Sequence, residues 1–159
     1  MEYLIVKWLH ILSSTLLFGT GIGSAYYMLF TSLAARRRQD DPRAVAVVVG
    51  YVVKADLWFT TSTSIFQPLS GWYLARLAGI PLTSTWVVAS IALYLLAGAC
   101  WLPVVWLQLR MRDMARQAEA SGDALPPVYW RYLTIWTLLG IPAFVALVIV
   151  FYLMVAKPV

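Results

Sequence analysis

The sequence predicts an all-α fold, an antiparallel bundle of four transmembrane helices with both termini outside the cell. The first observation is composition, because 62% of the 159 residues are hydrophobic and only 12% are charged, whereas a soluble domain carries about 25% charge. The second is a pattern of four long apolar stretches, separated by two arginine-rich loops and a short uncharged link. The whole chain, residues 1–159, is therefore expected to form a single integral membrane domain.

The first span is predicted at residues 3–33. The stretch from Trp8 to Tyr27 has the length of one bilayer crossing, since roughly 20 helical residues span a hydrocarbon core of about 30 Å. Trp8 and the pair Tyr26 and Tyr27 are expected to act as aromatic anchors at the two interfaces.

His10 is the single histidine of the chain and lies in a run of the first span that is otherwise apolar or small. On a helix it shares one face with Ser14, Leu17, Gly21, Ser24 and Met28. An ionisable ring inside a membrane span is a candidate functional residue, because an unpaired polar group in lipid is costly. The alternative is that His10 lies one turn below the headgroups and is satisfied by water.

Gly19 and Gly23 form a G-x-x-x-G motif in the same span. Small residues at this spacing let another helix approach closely in a membrane. The motif therefore predicts close packing, and three partners remain open: the second helix, a bound cofactor, or another protomer.

The second span, predicted at residues 44–77, is the most polar of the four. It contains the hydroxyl-rich run Thr60–Ser64 and the pair Gln67 and Pro68. Pro68 frees the carbonyl of Ser64, and nearby hydroxyl groups are expected to satisfy it. This polarity favours a helix buried in the bundle, with Gln67 and Pro68 lining an internal site.

Lys54 stands near the start of the second span and has two interpretations. In the first interpretation, its ammonium group reaches the lipid phosphates at the membrane surface. In the second, Lys54 is a buried cation that faces a cofactor carboxylate. It does not form a good intrahelical pair with Asp56, because side chains two residues apart on a helix point to different faces.

The third and fourth spans are predicted at residues 85–109 and 129–154. The third helix is expected to continue into the cytoplasm until Gly122, and the fourth to be interrupted at Gly140–Pro142. Arginines concentrate in the two long loops, so the positive-inside rule places both loops in the cytoplasm and His10 near the outer face.

Composition narrows the chemistry. Paired carboxylates for hydrolysis are absent from the spans, and one histidine with one cysteine is too few for a structural metal site. The basic residues flank spans, which indicates contact with anionic headgroups rather than with nucleic acid. Of the cofactors considered, haem is still possible, since a single histidine suffices as an axial ligand within an apolar, aromatic slot.

Several motifs resemble a bacterial family of integral membrane proteins known as domain of unknown function twenty-two sixty-nine. They are Lys7–Leu12, Phe18–Gly21, Ala55–Thr61, Gln67–Gly71 and Cys100–Gln108. The resemblance covers almost the whole chain and implies a multi-pass protein of the bacterial plasma membrane, which in Gram-negative cells is the inner membrane.

The early histidine motif and the closing Lys157 and Pro158 are more distantly similar to two other families. These are the HemJ-type protoporphyrinogen oxidases and the CopD-type copper-resistance membrane domain. The HemJ resemblance implies that His10 binds haem b. The last helix departs from the HemJ pattern, because Leu139–Pro142 lacks the Asn-Glu pair before the proline, and protoporphyrinogen oxidase activity is not implied without that carboxylate.

Three functions therefore remain open. The first is redox or porphyrin chemistry with haem b held by His10 and, as a weaker candidate, by Lys54. The second is a small transporter or channel component whose path is lined by Gln67 and Pro68, at a position where the second helix is expected to be broken. The third is an accessory structural subunit that contacts a second copy or a membrane complex through Gly19 and Gly23. All three place the chain in contact with the lipid bilayer.

Overall fold

The computed structural model describes residues 1–158. Its elements are α1 (Glu2–Arg36), α2 (Arg43–Ala55), a π-helical turn (Asp56–Thr60), α3 (Thr61–Leu77), α4 (Thr85–Ser121) and α5 (Pro127–Ala156). The segment from α2 to α3 is one helix, here called the central rod, so four helices are long and apolar enough to cross a membrane. No strand occurs among the described residues, and the predicted four-helix membrane fold is confirmed. The side of the membrane that each loop faces stays a prediction.

The third and fourth spans differ from expectation in one respect. As predicted, α4 continues past residue 109 and ends at Ser121, where Gly122 adopts a left-handed φ of 73° that favours glycine. The predicted interruption at Gly140–Pro142 is wrong, because α5 runs through Pro142 without a break. A proline removes only one helical hydrogen bond, and lipid offers the rest of the backbone no better partner than its own helix.

The central rod lies between the other helices. α1 packs along both α3 and α2, while α4 packs against α2 on one side and α5 on the other. α1 also meets α5 through Phe18, whose ring centroid lies 5.1 Å from that of Phe144 and 5.2 Å from that of Phe151.

The apolar core is concentrated at the end of the bundle that carries the two arginine-rich loops, here called the loop end. Its fully buried members come from all four helices, and they include Met28, Val45, Met111 and Tyr129. The hydroxyl groups of Ser32 and Tyr129 are 2.7 Å apart, which ties α1 to α5. The two loops also touch, since the amide of Leu125 donates to the carbonyl of Asp40 at 2.9 Å.

The first loop is organised by an ion pair. The guanidinium of Arg43 contacts both carboxylate oxygens of Asp41, at 3.0 and 2.8 Å, and the amide of Arg43 donates to the same group at 3.1 Å. These side-chain and backbone hydrogen bonds lower the pKa of Asp41 from its ordinary value to about 2.

Two belts of cation–aromatic pairs lie toward the two ends of the bundle. At the loop end Lys54 stacks on Tyr51 and Arg110 on Trp106. At the far end the pairs are Lys7 with Tyr3, Arg76 with Trp72, and Lys157 with Trp86. Along the central rod Lys54 and Arg76 are about 33 Å apart at 1.5 Å per residue, which matches a hydrocarbon core of about 30 Å.

Candidate functional site

The buried face of the central rod is apolar in α2 and polar from Asp56 to Ser70. The buried residues of this polar stretch are Asp56, Thr60, Thr63, Gln67 and Ser70, which are between 5% and 8% exposed. Their spacing of four, three, four and three residues places them on one side of a helix. The opposite side carries exposed apolar residues such as Trp58, Ile65 and Leu69. This stretch of the rod is therefore apolar toward lipid and polar toward the bundle interior.

At the far end the polar face meets His10. The ring atom Nδ1 of His10 lies 2.7 Å from Ser70 Oγ, and Gln67 Nε2 donates to the carbonyl oxygen of His10 at 2.9 Å. The ring packs against the backbone at Gly71, where a Cβ atom would lie 3.4 Å from His10 Cε1. The structure thus brings together two residues that the sequence selected separately, His10 and Gln67.

The surroundings of Ser70 favour one tautomer of His10. The hydroxyl of Ser70 is within hydrogen-bond distance of the carbonyls of Phe66, at 2.7 Å, and Gln67, at 3.2 Å. When it donates to either carbonyl, it accepts a hydrogen from His10 Nδ1 at 2.7 Å. A neutral imidazole holds one proton, so in this tautomer the lone pair of Nε2 is free to bind.

At the loop end the polar face begins with Asp56, in the π-helical turn. Thr60 Oγ1 donates to Asp56 Oδ1 at 3.0 Å, and the side chains of Gln108 on α4 and Ser24 on α1 lie beside the same carboxyl group. Three elements therefore converge on a carboxyl group that is only 6% exposed. π-helical turns frequently occur at functional sites, and a buried carboxyl group in a membrane span is itself a functional candidate.

Sequence reasoning did not select Asp56 as a site residue. The sequence singles out Asp56 only as a neighbour of Lys54. In the fold Asp56 is far from His10, because Asp56 and Ser70 are about 21 Å apart along the rod at 1.5 Å per residue. The signal that would have found Asp56 is the helical spacing of polar residues from Asp56 through Thr60 and Thr63 to Gln67.

The carbonyl group that Pro68 leaves without a helical donor is satisfied by another helix. Pro68 lies inside the continuous helix α3, and the hydroxyl of Tyr94 on α4 donates to the freed carbonyl of Ser64 at 2.6 Å. The expectation that a hydroxyl satisfies this carbonyl is confirmed. The expectation of a broken helix at Gln67 and Pro68 is wrong, since the departure from α-helical geometry is at Asp56–Thr60 instead.

Lys54 and the glycine pair lie away from the polar face. Lys54 is exposed, with its ammonium group 5.4 Å from the centre of the Tyr51 ring, as expected for a surface lysine. A Cβ atom at Gly19 or Gly23 would meet nothing within 4 Å. Close packing against the second helix is therefore excluded, while contact with a cofactor or another protomer stays a prediction.

Two surface grooves lie between α1 and α2. The groove nearer the loops, of about 360 Å³, is lined by Tyr26, Tyr27, Phe30, Thr31, Ala34, Ala35, Arg38, Asp41 and Ala44. The groove nearer the membrane centre, of about 440 Å³, is lined by Thr20, Gly23, Ser24, Tyr27, Val48, Tyr51, Val52, Ala55 and Phe59. They share Tyr27 and so follow each other along α1. His10 lines neither of them.

Residues 4–158 match the model of a family described as a predicted integral membrane protein, DUF2269. The chain belongs to this family. Comparisons with curated proteins and with solved structures give no match. The DUF2269 assignment agrees with the four membrane-spanning helices, and the distant resemblance to the HemJ and CopD types stays a prediction.

Proposed function

We propose that this DUF2269 protein transfers protons across the membrane along the polar face of the central rod, as a transporter or channel component. The observation that carries the proposal is that the buried side chains of the rod from Asp56 to Ser70 are all polar. Burying polar groups in a membrane protein costs free energy that apolar packing would save. Such residues in membrane spans commonly mark ion pathways and proton relays.

Both ends of the face carry a group that exchanges protons. Asp56 lies beside the loop-end belt, only two positions from Lys54, and His10 lies beside the far belt, three positions from Lys7. Between them the face offers the hydroxyl groups of Thr60 and Thr63 and the amide of Gln67. The relay therefore extends over most of the distance between the two belts.

A water molecule beside Ser13 would complete the path. Ser13 Oγ is buried, and no described residue is its hydrogen-bond partner. Buried polar atoms nearly always have a partner, which is often an ordered water molecule. Ser13 lies one turn from His10 on α1, so a water molecule there would connect His10 with the interior.

The test is proton flux into sealed vesicles. Purified protein is reconstituted with a pH-sensitive dye inside, and a potassium diffusion potential is applied with valinomycin. We expect acidification several-fold faster than in empty vesicles, and a return to the empty-vesicle rate in Asp56→Asn. The matched control is Asp123→Asn, which neutralises an exposed loop carboxylate and leaves the rate unchanged. A parent protein no faster than empty vesicles, or an Asp56→Asn variant as fast as the parent, contradicts the proposal and favours an accessory structural role.

A second proposed function is ligation of haem b by His10. It is favoured by the hydrogen bond to Ser70, which fixes the ring direction as outer partners do for metal-bound histidines and, in the tautomer with the proton on Nδ1, leaves Nε2 with a free lone pair. When bound, haem would supply one-electron redox chemistry. His10 Nε2 would be the ligand, Ser70 would orient the ring and Gln67 would hold the backbone of α1 in place.

The haem proposal is tested by absorption spectra of protein expressed with ample haem. We expect a Soret band in the parent that His10→Ala abolishes, while far-ultraviolet circular dichroism stays helical. Ser70→Ala serves as the positioning control, since it leaves the ligand in place but frees the ring and should lower haem occupancy in part. A colourless parent, or an unchanged spectrum in His10→Ala, contradicts haem binding and leaves the proton proposal standing.

A further inference from the structure

We propose that the two grooves between α1 and α2 form one binding site for an anionic phospholipid, a proposal that does not rest on proton transfer along the polar face. Both grooves are lined by Tyr27, so they adjoin at this residue, and together, as one trough, they extend along α1 from Arg38 to Thr20. At 1.5 Å per residue this trough is about 27 Å long. That length suits a headgroup followed by one acyl chain.

The upper part of the trough suits a phosphate group. Arg38 lines it at the level of the first loop, and Asp41, which also lines it, is already paired with Arg43. The ion pair neutralises Asp41, so the charge offered to a ligand is that of the Arg38 guanidinium. Guanidinium groups bind phosphate oxygens in a bidentate manner. A zwitterionic or uncharged headgroup gains less from this arrangement.

The lower part of the trough suits an acyl chain. Its floor is made of small residues, including Gly23 and Ala55, and its walls of Tyr27, Tyr51 and Phe59. A Cβ atom at Gly23 would meet nothing within 4 Å, so the space above this glycine is open to a guest. The glycine motif of α1 thereby gains a partner in the bilayer that needs no second protein chain.

The test compares lipids on delipidated protein in detergent. Phosphatidylglycerol and phosphatidylcholine with identical acyl chains are added in equal amounts, and the lipid retained is counted by native mass spectrometry. We expect the parent to retain one phosphatidylglycerol with a preference of about fivefold over phosphatidylcholine, the increment typical of one arginine at an anionic surface. Inorganic phosphate should not displace it, because phosphate alone gains nothing from the lower trough.

Variants separate the two parts of the site. Arg38→Gln should remove the preference for phosphatidylglycerol, and Gly23→Leu should reduce retention of both lipids several-fold by filling the floor. The matched controls are Arg131→Gln, an exposed arginine on α5, and Gly140→Leu, where a Cβ atom also meets nothing within 4 Å. Should Gly23→Leu lose helicity, Ala55→Leu fills the same floor from α2. Equal effects of Arg38→Gln and Arg131→Gln, or full retention with the floor filled, would overturn the proposal in favour of diffuse attraction to the loops.

Discussion

Replacing Tyr94 by phenylalanine removes the hydroxyl group that satisfies the carbonyl of Ser64 across the interface between α4 and α3. The ring stays, so packing is preserved and only the hydrogen bond is lost. An unsatisfied buried acceptor costs about 1–3 kcal/mol, and hydrogen bonds between membrane helices are typically worth about 0.6 kcal/mol and at most about 1.7 kcal/mol. We expect a loss of about 1 kcal/mol in the free energy of unfolding, or about 2–4 °C in Tm for a chain of this size.

Pro68 provides the internal check of this prediction. In Pro68→Ala, the new amide at position 68 can donate to the carbonyl of Ser64 within the helix, so that carbonyl no longer depends on Tyr94. The Tyr94→Phe change should then cost little, and the double-mutant cycle should give a coupling free energy of about 1 kcal/mol. Reversible unfolding in mixed micelles, followed by circular dichroism, measures all four proteins.

The matched control is Tyr152→Phe, which removes a hydroxyl group from a side chain exposed on α5. It should leave the free energy of unfolding unchanged. If Tyr94→Phe costs the same in the parent protein and in the Pro68→Ala variant, the hydroxyl does not serve the proline-freed carbonyl and the reasoning is refuted.

Two further predictions concern surface positions. Gly19→Leu should raise Tm slightly. A Cβ atom at this position would meet nothing within 4 Å, and glycine in a helix interior is about 1 kcal/mol less favourable than a good helix former. A marked fall in Tm or a change of oligomeric state would reveal a partner on that face. Asp41 should titrate near pH 2 in carbon-detected nuclear magnetic resonance, because its pKa is lowered to about 2 by Arg43. The ion pair with Arg43 therefore stabilises the fold at pH values above the ordinary pKa of a carboxyl group, and this stabilisation is lost as the pH falls toward 2. In Arg43→Gln the titration midpoint of Asp41 should return to the ordinary range. Equal midpoints in the two proteins would contradict this account.

The bundle itself was predictable from the sequence because apolar length and loop charge determine membrane spans almost independently of packing. The satisfied carbonyl at Ser64 was also predictable in kind, since lipid leaves a proline-freed carbonyl no partner but protein. The choice of Tyr94 was not, because the partner comes from a helix whose rotation is set by tertiary contacts.

The sequence indicates some residues of the candidate site but not how they contact each other. His10 stands out by being unique, and Gln67 by being polar in a span, but their contact depends on the register of α1 against α3. Asp56 does not stand out beside the charged Lys54, and only the helical repeat that ends at Ser70 identifies it as part of the polar face. The spacing of Gly19 and Gly23 indicates that something fits closely there, yet the sequence contains no information on whether that partner is a helix of the same chain.

The uneven core has a mechanical consequence. Large buried side chains such as Met28, Met111 and Tyr129 join the helices at the loop end, whereas the buried side chains of the far half are mostly small, Ser13 and Ser90 among them. Helices that pack tightly at one end of a bundle separate more easily at the other end, because small side chains lose little van der Waals contact when they move apart. Changes in bilayer tension or thickness therefore move the helices around His10 first, while the surroundings of Asp56 keep their shape.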